Sequence, residues 1–175
     1  MKLTWFGGTT LRIHIGGKML VIDADAALAS IDRTELLSGA DAQLALNDPA
    51  LNQVTADWTP RRAGALIDET SPPALQLHRI APSVIVVDAI SEQPLLLVTG
   101  SVERLGRWTG NAVVVVMGAP DALPSLTANV LEQLRPKLVA VAGPEEAMDQ
   151  VILQVKTLLD GAGLVSLEPG LALEV

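Results

Sequence analysis

The sequence predicts a layered αβ domain, and three observations support this fold class. Short strand patterns fill the first 22 residues, further strand patterns follow from residue 75, and strands alternate with helices over the last third of the chain. Strands that come first and then alternate with helices are typical of layered αβ architectures. The length of 175 residues suits a single domain spanning residues 1–175, large enough to bury a core without disulfide or metal staples.

The first segment of the chain reads as three short strands. A strand at residues 3–6 ends in Gly7-Gly8, and apolar residues at 11, 13 and 15 then alternate with polar ones. Gly16-Gly17 separates this run from a third strand at residues 19–22. Period-2 alternation followed by a Gly-Gly pair predicts a hairpin with its turn at Gly16-Gly17.

The pattern loosens between residues 23 and 69. We predict a short helix at residues 30–37, capped by the hydroxyls of Ser30 or Thr34, and otherwise loop with weak strands near residues 63–67. After Ser71-Pro72-Pro73, which interrupts regular structure, apolar runs predict three more strands, at residues 75–78, 84–87 and 95–98.

The last third alternates strands with helices. The apolar runs at residues 113–116 and 138–141 predict strands buried on both faces, and residues 124–134 between them have helical spacing. A second helix is predicted from Pro144 to about Asp160, since proline and carboxylates suit its first turn and glycines follow its end. Val165 and residues 171–175 complete the chain as strands.

The composition excludes several classes of protein. The chain has 12 basic and 20 acidic residues, a net charge of −8, with no cluster of bases, so we expect no nucleic-acid groove. Cysteine is absent, which excludes disulfides and thiolate sites. No apolar stretch approaches the roughly 20 residues that cross a membrane, and no secretory signal pattern is present, so we expect a cytoplasmic protein.

Two segments of the chain have a pattern shared with a known family. Residues 3–8, the hairpin through Gly16-Gly17-Lys18 and the ending Val21-Ile22-Asp23 resemble the start of the metallo-β-lactamase superfamily, in its branch of small uncharacterised and lactonase-like hydrolases. Towards the other end of the chain, the order of strands and helices agrees, including Arg135-Pro136 before a strand and Glu168-Pro169-Gly170 before the last one. The resemblance implies a shortened αββα sandwich and leaves the middle of the chain unassigned.

The same resemblance implies a two-metal hydrolase site, but this chain lacks most of its ligands. The family's His-x-His-x-Asp-His run would follow Asp23, yet no histidine occurs between His14 and His78. Gly8 stands in the place of a histidine, Thr99-Gly100-Ser101 near the place of an aspartate ligand, and Ala142-Gly143 where a last histidine would follow its strand. Only Asp23 matches, in a supporting position. We therefore expect a metal-free descendant with no cofactor.

Four residues are weak candidates for catalysis: His14, His78, Asp23 and Asp25. A single zinc with three protein ligands would need both histidines and a carboxylate. The spacing does not favour this, because His14 shares its strand side with Arg12 and His78 shares its side with Gln76. Both are predicted to be solvated histidines on strand faces, and the aspartates to be solvated loop acids. The three tryptophans are isolated in sequence and are predicted to be core or interface residues.

Two functions follow from these observations. The first is a non-catalytic metallo-β-lactamase-like module for binding or assembly, with a small-molecule or protein ligand. The alternative is a hydrolase of a small ester, lactone or phosphate-containing metabolite, with Asp23 and Asp25 beside His14 or His78 as acid or base.

We also expect a homo-oligomer, a dimer being the commonest form. Only 18% of the residues are charged and the mean hydropathy is +0.39, so apolar patches on the surface are difficult to avoid. The predicted contact is the strand at residues 75–78 or the apolar run at residues 95–98.

Overall fold

The computed structural model describes residues 1–61, 75–90 and 92–175, and two β-sheets pack face to face within it. The first sheet has the order β12-β1-β2-β3-β4, in which β3 and β4 are parallel and the other pairs antiparallel. Its strands are β1 (Lys2–Trp5), β2 (Leu11–Ile15), β3 (Lys18–Ile22), β4 (Ala42–Leu44) and β12 (Ala172–Glu174).

The second sheet has the order β11-β10-β9-β8-β7-β6-β5. Its strands are β5 (Asn52–Gln53), β6 (Leu75–Ala81), β7 (Val84–Ala89), β8 (Leu95–Val98), β9 (Val113–Met117), β10 (Leu138–Ala142) and β11 (Gly163–Leu167). Strands β8 to β11 are parallel to one another, whereas β7 runs antiparallel to both of its neighbours.

Helices cover the outer face of each sheet. The helices α2 (Leu123–Leu134) and α3 (Glu145–Val155) share a buried cluster with the outer side chains of β7 to β10. The single-turn helix α1 (Arg33–Leu37) lies over the first sheet, where the Arg12 guanidinium donates to the Ser38 carbonyl at 2.7 Å. The layers therefore run helix, sheet, sheet, helix, which confirms the predicted layered αβ fold and its shortened αββα arrangement.

Most predicted elements are present, and two details differ. The Gly16-Gly17 turn is confirmed, with φ of 57° and 73°. Helix α1 is capped by Asp32, whose carboxylate accepts from the backbone N–H of Thr34 at 2.7 Å, so the prediction of a Ser30 or Thr34 cap was wrong. Helix α3 ends at Val155, before the predicted end at Asp160, and the backbone leaves the helical region with the positive φ of Asp160 and Gly161.

Two short strands in the middle of the chain were not predicted. Strands β4 and β5 supply the short pairing in the middle of the chain, each only two or three residues long. The strands predicted near residues 63–67 lie outside the described residues.

One of the two predicted dimer contacts is also wrong. Residues 95–98 form β8, which is hydrogen-bonded between β7 and β9 and whose side chains are all buried. A strand paired on both edges and covered on both faces offers no surface to a second copy of the chain.

Candidate functional site

The carboxyl ends of β8, β9, β10 and β11 lie together at one edge of the second sheet because these strands are parallel. The end of β1 joins this edge, since the Gly170 N–H donates to the Trp5 carbonyl at 2.8 Å. The loop after β1 in turn contacts residues 24–28, where the Leu28 N–H donates to the Phe6 carbonyl at 2.9 Å. We call this region the strand-end edge; it contains the positions that the family resemblance singled out.

Asp23 connects three segments at the strand-end edge. Its Oδ2 accepts from the Thr9 hydroxyl and its Oδ1 from the Leu46 N–H, both at 2.7 Å, and its carbonyl accepts from the Thr10 hydroxyl at 2.6 Å. Its backbone is left-handed, with φ of 44° and ψ of 53°, a conformation that aspartate tolerates better than most residues. Both carboxylate oxygens of Asp23 thus hold loops together.

A cleft of about 510 Å³ opens beside Asp23. Asp25 lies in this cleft and forms an ion pair with Arg33, while Gln43 and Asn47 supply neutral polar groups. The structure therefore brings Asp23 and Asp25 into one cleft, and each carboxylate already has a partner from the chain itself.

Three glycines at the strand-end edge stand where a side chain has little or no room. A Cβ on Gly8, whose φ is +50°, would lie 2.7 Å from the Ala26 carbonyl oxygen. A Cβ on Gly100 would lie 3.0 Å from the Ser83 Cβ, and one on Gly143 would overlap the Leu123 Cδ1, which belongs to a fully buried leucine. The segment Ala24–Ala26, a short 3₁₀ turn, fills the space beside Gly8.

Comparisons with known proteins add two solved structures. The chain has 14% sequence identity to a metallo hydrolase of the hyperthermophilic archaeon Ignicoccus hospitalis, with a TM-score of 0.48, over 99% of this chain and 98% of that chain. It has 13% identity to a protein of Thermotoga maritima assigned to the zinc-dependent hydrolases of the metallo-β-lactamase superfamily, with a TM-score of 0.45, over 95% and 98% of the two chains. No family model and no curated protein matches the chain.

The two histidines lie on opposite outer faces of the sandwich. His14 is exposed on the first sheet, opposite Met19 and Lys2 in the neighbouring strands, as predicted for a solvated strand-face histidine. His78 lies on the helix-covered face of the second sheet and is only 9% exposed, so the same prediction was wrong for this residue. Both sheets separate the two rings, and no shared site forms from them.

His78 is buried because residues 52–61 fold over this part of the sheet. Its ring lies 3.3 Å from the Asn52 side-chain nitrogen and 3.3 Å from the Gln76 side-chain oxygen, and the Trp58 ring packs over it at a centroid distance of 5.5 Å. Burial lowers the pKa of His78 below its usual value, although the nearby Asp88 carboxylate opposes the shift. The neutral ring is therefore favoured at neutral pH.

Two further features of this face were missed from the sequence. Trp58 also contacts Trp108 in an edge-to-face arrangement at 5.4 Å, so two tryptophans that are isolated along the chain form one cluster. Beside them, Asp88 is 2% exposed, and its Oδ2 accepts from the Arg61 Nε at 2.7 Å. The only signal was an aspartate inside the apolar run of β7, which implies a buried partner.

The histidine and carboxylate side chains of the described residues do not fit the metal site that the resemblance implies. Among residues 1–61, 75–90 and 92–175, no group of three or more histidine or carboxylate side chains is placed to share an ion. The remaining residues, 62–74 and Ser91, contain no histidine in the sequence.

Among residues 1–61, 75–90 and 92–175, no helix combines the length and apolar character needed to cross a membrane.

Proposed function

We propose that this chain is a non-catalytic module for binding or assembly, with a metallo-β-lactamase-like sandwich that holds no metal. The observation that carries the proposal is the packing at the strand-end edge. Gly8, Gly100 and Gly143 stand in or beside the places where the resemblance puts metal ligands, and Ala26, Ser83 and Leu123 occupy the space next to their Cα atoms.

The remaining acids support the same proposal. Asp23 uses both carboxylate oxygens to hold loops together, accepting from the Thr9 hydroxyl and the Leu46 N–H. Asp25 is exposed and paired with Arg33, so its charge is balanced within the protein. The cleft beside these residues has a mixed polar and apolar lining, to which Gln43 and Asn47 contribute neutral hydrogen-bonding groups.

Metal analysis of protein purified without chelator tests the proposal. We expect zinc, manganese and iron each to be well below one ion per chain, because the described residues lack a set of three converging donors. The control is the same preparation incubated with zinc and then dialysed, which should return to the same low content. A stoichiometric metal that survives dialysis would contradict the proposal.

The hydrolase alternative gains no support from the described structure. In that alternative, the general acid or base must come within hydrogen-bond reach of the reacting group, and the carboxylates and the histidine must therefore lie close together. Asp23 and Asp25 lie at the strand-end edge, where Thr10 contacts Asp23. His14 lies on β2, four residues after Thr10, and His78 lies on the far side of the second sheet. The four candidate residues thus do not form one constellation.

We further propose that the module forms a homodimer. Within the described chain, β5 pairs only with residues 78 and 79 of β6, so the β6 segment at residues 75–77 keeps a free strand edge for pairing. Light scattering at micromolar concentration should give a mass twice the 18.3 kDa of one chain. The control is a dilution series, in which a specific dimer keeps a mass of at most two chains at the highest concentration, whereas non-specific association continues to larger masses. A monomer mass throughout the series would contradict this proposal.

A further inference from the structure

Three arginines line a cleft at the edge of the second sheet opposite the strand-end edge. Arg104, Arg107 and Arg135 contribute to this cleft, which has a volume of about 440 Å³. Arg107 begins the 3₁₀ segment Arg107–Asn111, which leads into β9, and Arg135 follows α2 and leads into β10. Both connections enter the amino ends of parallel strands, so this arginine cleft is remote from Asp23.

The walls of the arginine cleft are fixed by buried hydrogen bonds. The Thr109 hydroxyl, on a residue 3% exposed, lies 2.7 Å from the Leu134 carbonyl and 3.1 Å from the Gly106 carbonyl. These contacts hold the 3₁₀ segment against the end of α2. The backbone of Gly110 also packs close to Arg135, whose carbonyl oxygen would lie 3.8 Å from a Cβ at Gly110.

The three guanidinium groups have no partner in the described part of the chain. The arginines described elsewhere, at positions 12, 33, 61 and 79, all donate hydrogen bonds to carboxylates, carbonyls or, for Arg12, also to a methionine sulfur. Within the described residues, those that line the cleft make no such hydrogen bond and no ion pair, and no aspartate or glutamate is among the residues that line it. In a protein of net charge −8, three of the 12 basic residues are thus collected in one place, although Arg135 also borders a second cleft that contains Glu132 and Asp160.

Arg135 adds a second, independent observation. It ends α2 in the left-handed conformation, with φ of 47° and ψ of 56°. Helix ends of this type usually carry glycine, and a side chain there costs roughly 1 kcal/mol. The cost is consistent with a use for the Arg135 side chain, and strained positions of this kind concentrate at ligand sites.

We infer that the arginine cleft binds a small, multiply charged phosphate compound. Guanidinium groups match phosphate oxygens through paired N–H donors, and the cleft volume is in the range of small-molecule sites. The free carbonyls at the end of α2 contribute about half a negative charge, which three guanidinium charges exceed. The acidic surface elsewhere favours a small anion over a long polyanion.

Calorimetric titration with inorganic pyrophosphate tests the inference. We expect saturable binding to the whole chain, and about a tenfold loss of affinity in Arg107→Gln and again in Arg135→Gln, because a charge-assisted hydrogen bond contributes roughly that much. Lys156→Gln is the matched control, because this substitution also removes one positive charge. Lys156 is exposed and does not line the cleft. Thermal unfolding of each variant checks that it folds.

Any of three outcomes of the titration would overturn the inference. The first is that pyrophosphate does not bind saturably at millimolar concentration, and the second is that Lys156→Gln weakens binding as much as the cleft variants do. The third is that citrate, an anion without phosphate, binds with the same affinity as pyrophosphate. The inference gives a ligand class to the proposed binding function, yet the two fail separately. Finding stoichiometric metal would contradict only the proposal of a metal-free module. Finding no pyrophosphate binding would contradict only the inference that the arginine cleft binds phosphate compounds.

Discussion

Replacing Arg61 with methionine is expected to lower the free energy of unfolding by about 3–5 kcal/mol, because it leaves a buried carboxylate without its cation. Asp88 is 2% exposed, and Arg61 surrounds it through its backbone N–H, its Nε and a bond from Nη2 to the Asp88 carbonyl. Methionine keeps much of the aliphatic volume of arginine, so the measured loss in chemical denaturation reports mainly on the missing charge and donors.

Arg33→Met is the matched control for this experiment. Arg33 pairs with Asp25, but their side chains are 54% and 89% exposed, so water replaces the lost contact. We expect a change below about 1 kcal/mol for this variant. The double variant Arg61→Met/Asp88→Leu should recover most of the stability by removing the stranded carboxylate. Equal effects of Arg61→Met and Arg33→Met would show that burial of Asp88 does not matter.

Asp23→Ala is expected to cost about 3–6 kcal/mol, since it removes two hydrogen bonds to a charged acceptor and each contributes roughly 1.5–3 kcal/mol. The substitution removes the two carboxylate oxygens that accept from the Thr9 hydroxyl and from the Leu46 N–H. It also leaves alanine in a left-handed conformation. Thermal or urea unfolding measures the loss.

Asp23→Asn separates the two contributions to this effect. Asparagine tolerates the left-handed conformation and keeps one side-chain oxygen, so it should recover about half of the lost stability. Asp25→Ala, at a carboxylate 89% exposed, should change stability by less than about 0.5 kcal/mol. An Asp23→Ala protein as stable as the Asp25→Ala protein would mean that the loops at the strand-end edge do not depend on Asp23.

The strands were predictable where burial imposes a clear pattern. The alternation in β2 follows from its one buried face, and the continuous apolar runs of β8 and β9 follow from burial on both faces. Strands β4 and β5 have no such pattern because most of their side chains are exposed. Their positions depend on pairing with β3 and β6, which is not encoded in their own few residues.

The site was predictable only in part. Asp23 and Asp25 are close in sequence and share one cleft, but the left-handed backbone of Asp23 and the 3₁₀ segment Ala24–Ala26 that orient them have no signal in the sequence pattern. The burial of His78 was not predictable, because residues 52–61 that cover it are distant along the chain and polar in composition. The three arginines of the arginine cleft come from two connections separated by the whole of β9 and α2, so no local motif reveals them.

The close packing at the three glycines has a consequence for protein engineering. A histidine introduced at Gly8 would strike the backbone of Ala26, and one at Gly143 would displace a buried leucine, so neither side chain fits the present packing. Each substitution would need a compensating change in a different segment of the chain. Redesign of this edge must therefore begin with residues 24–26 and Leu123 rather than with the introduced histidines.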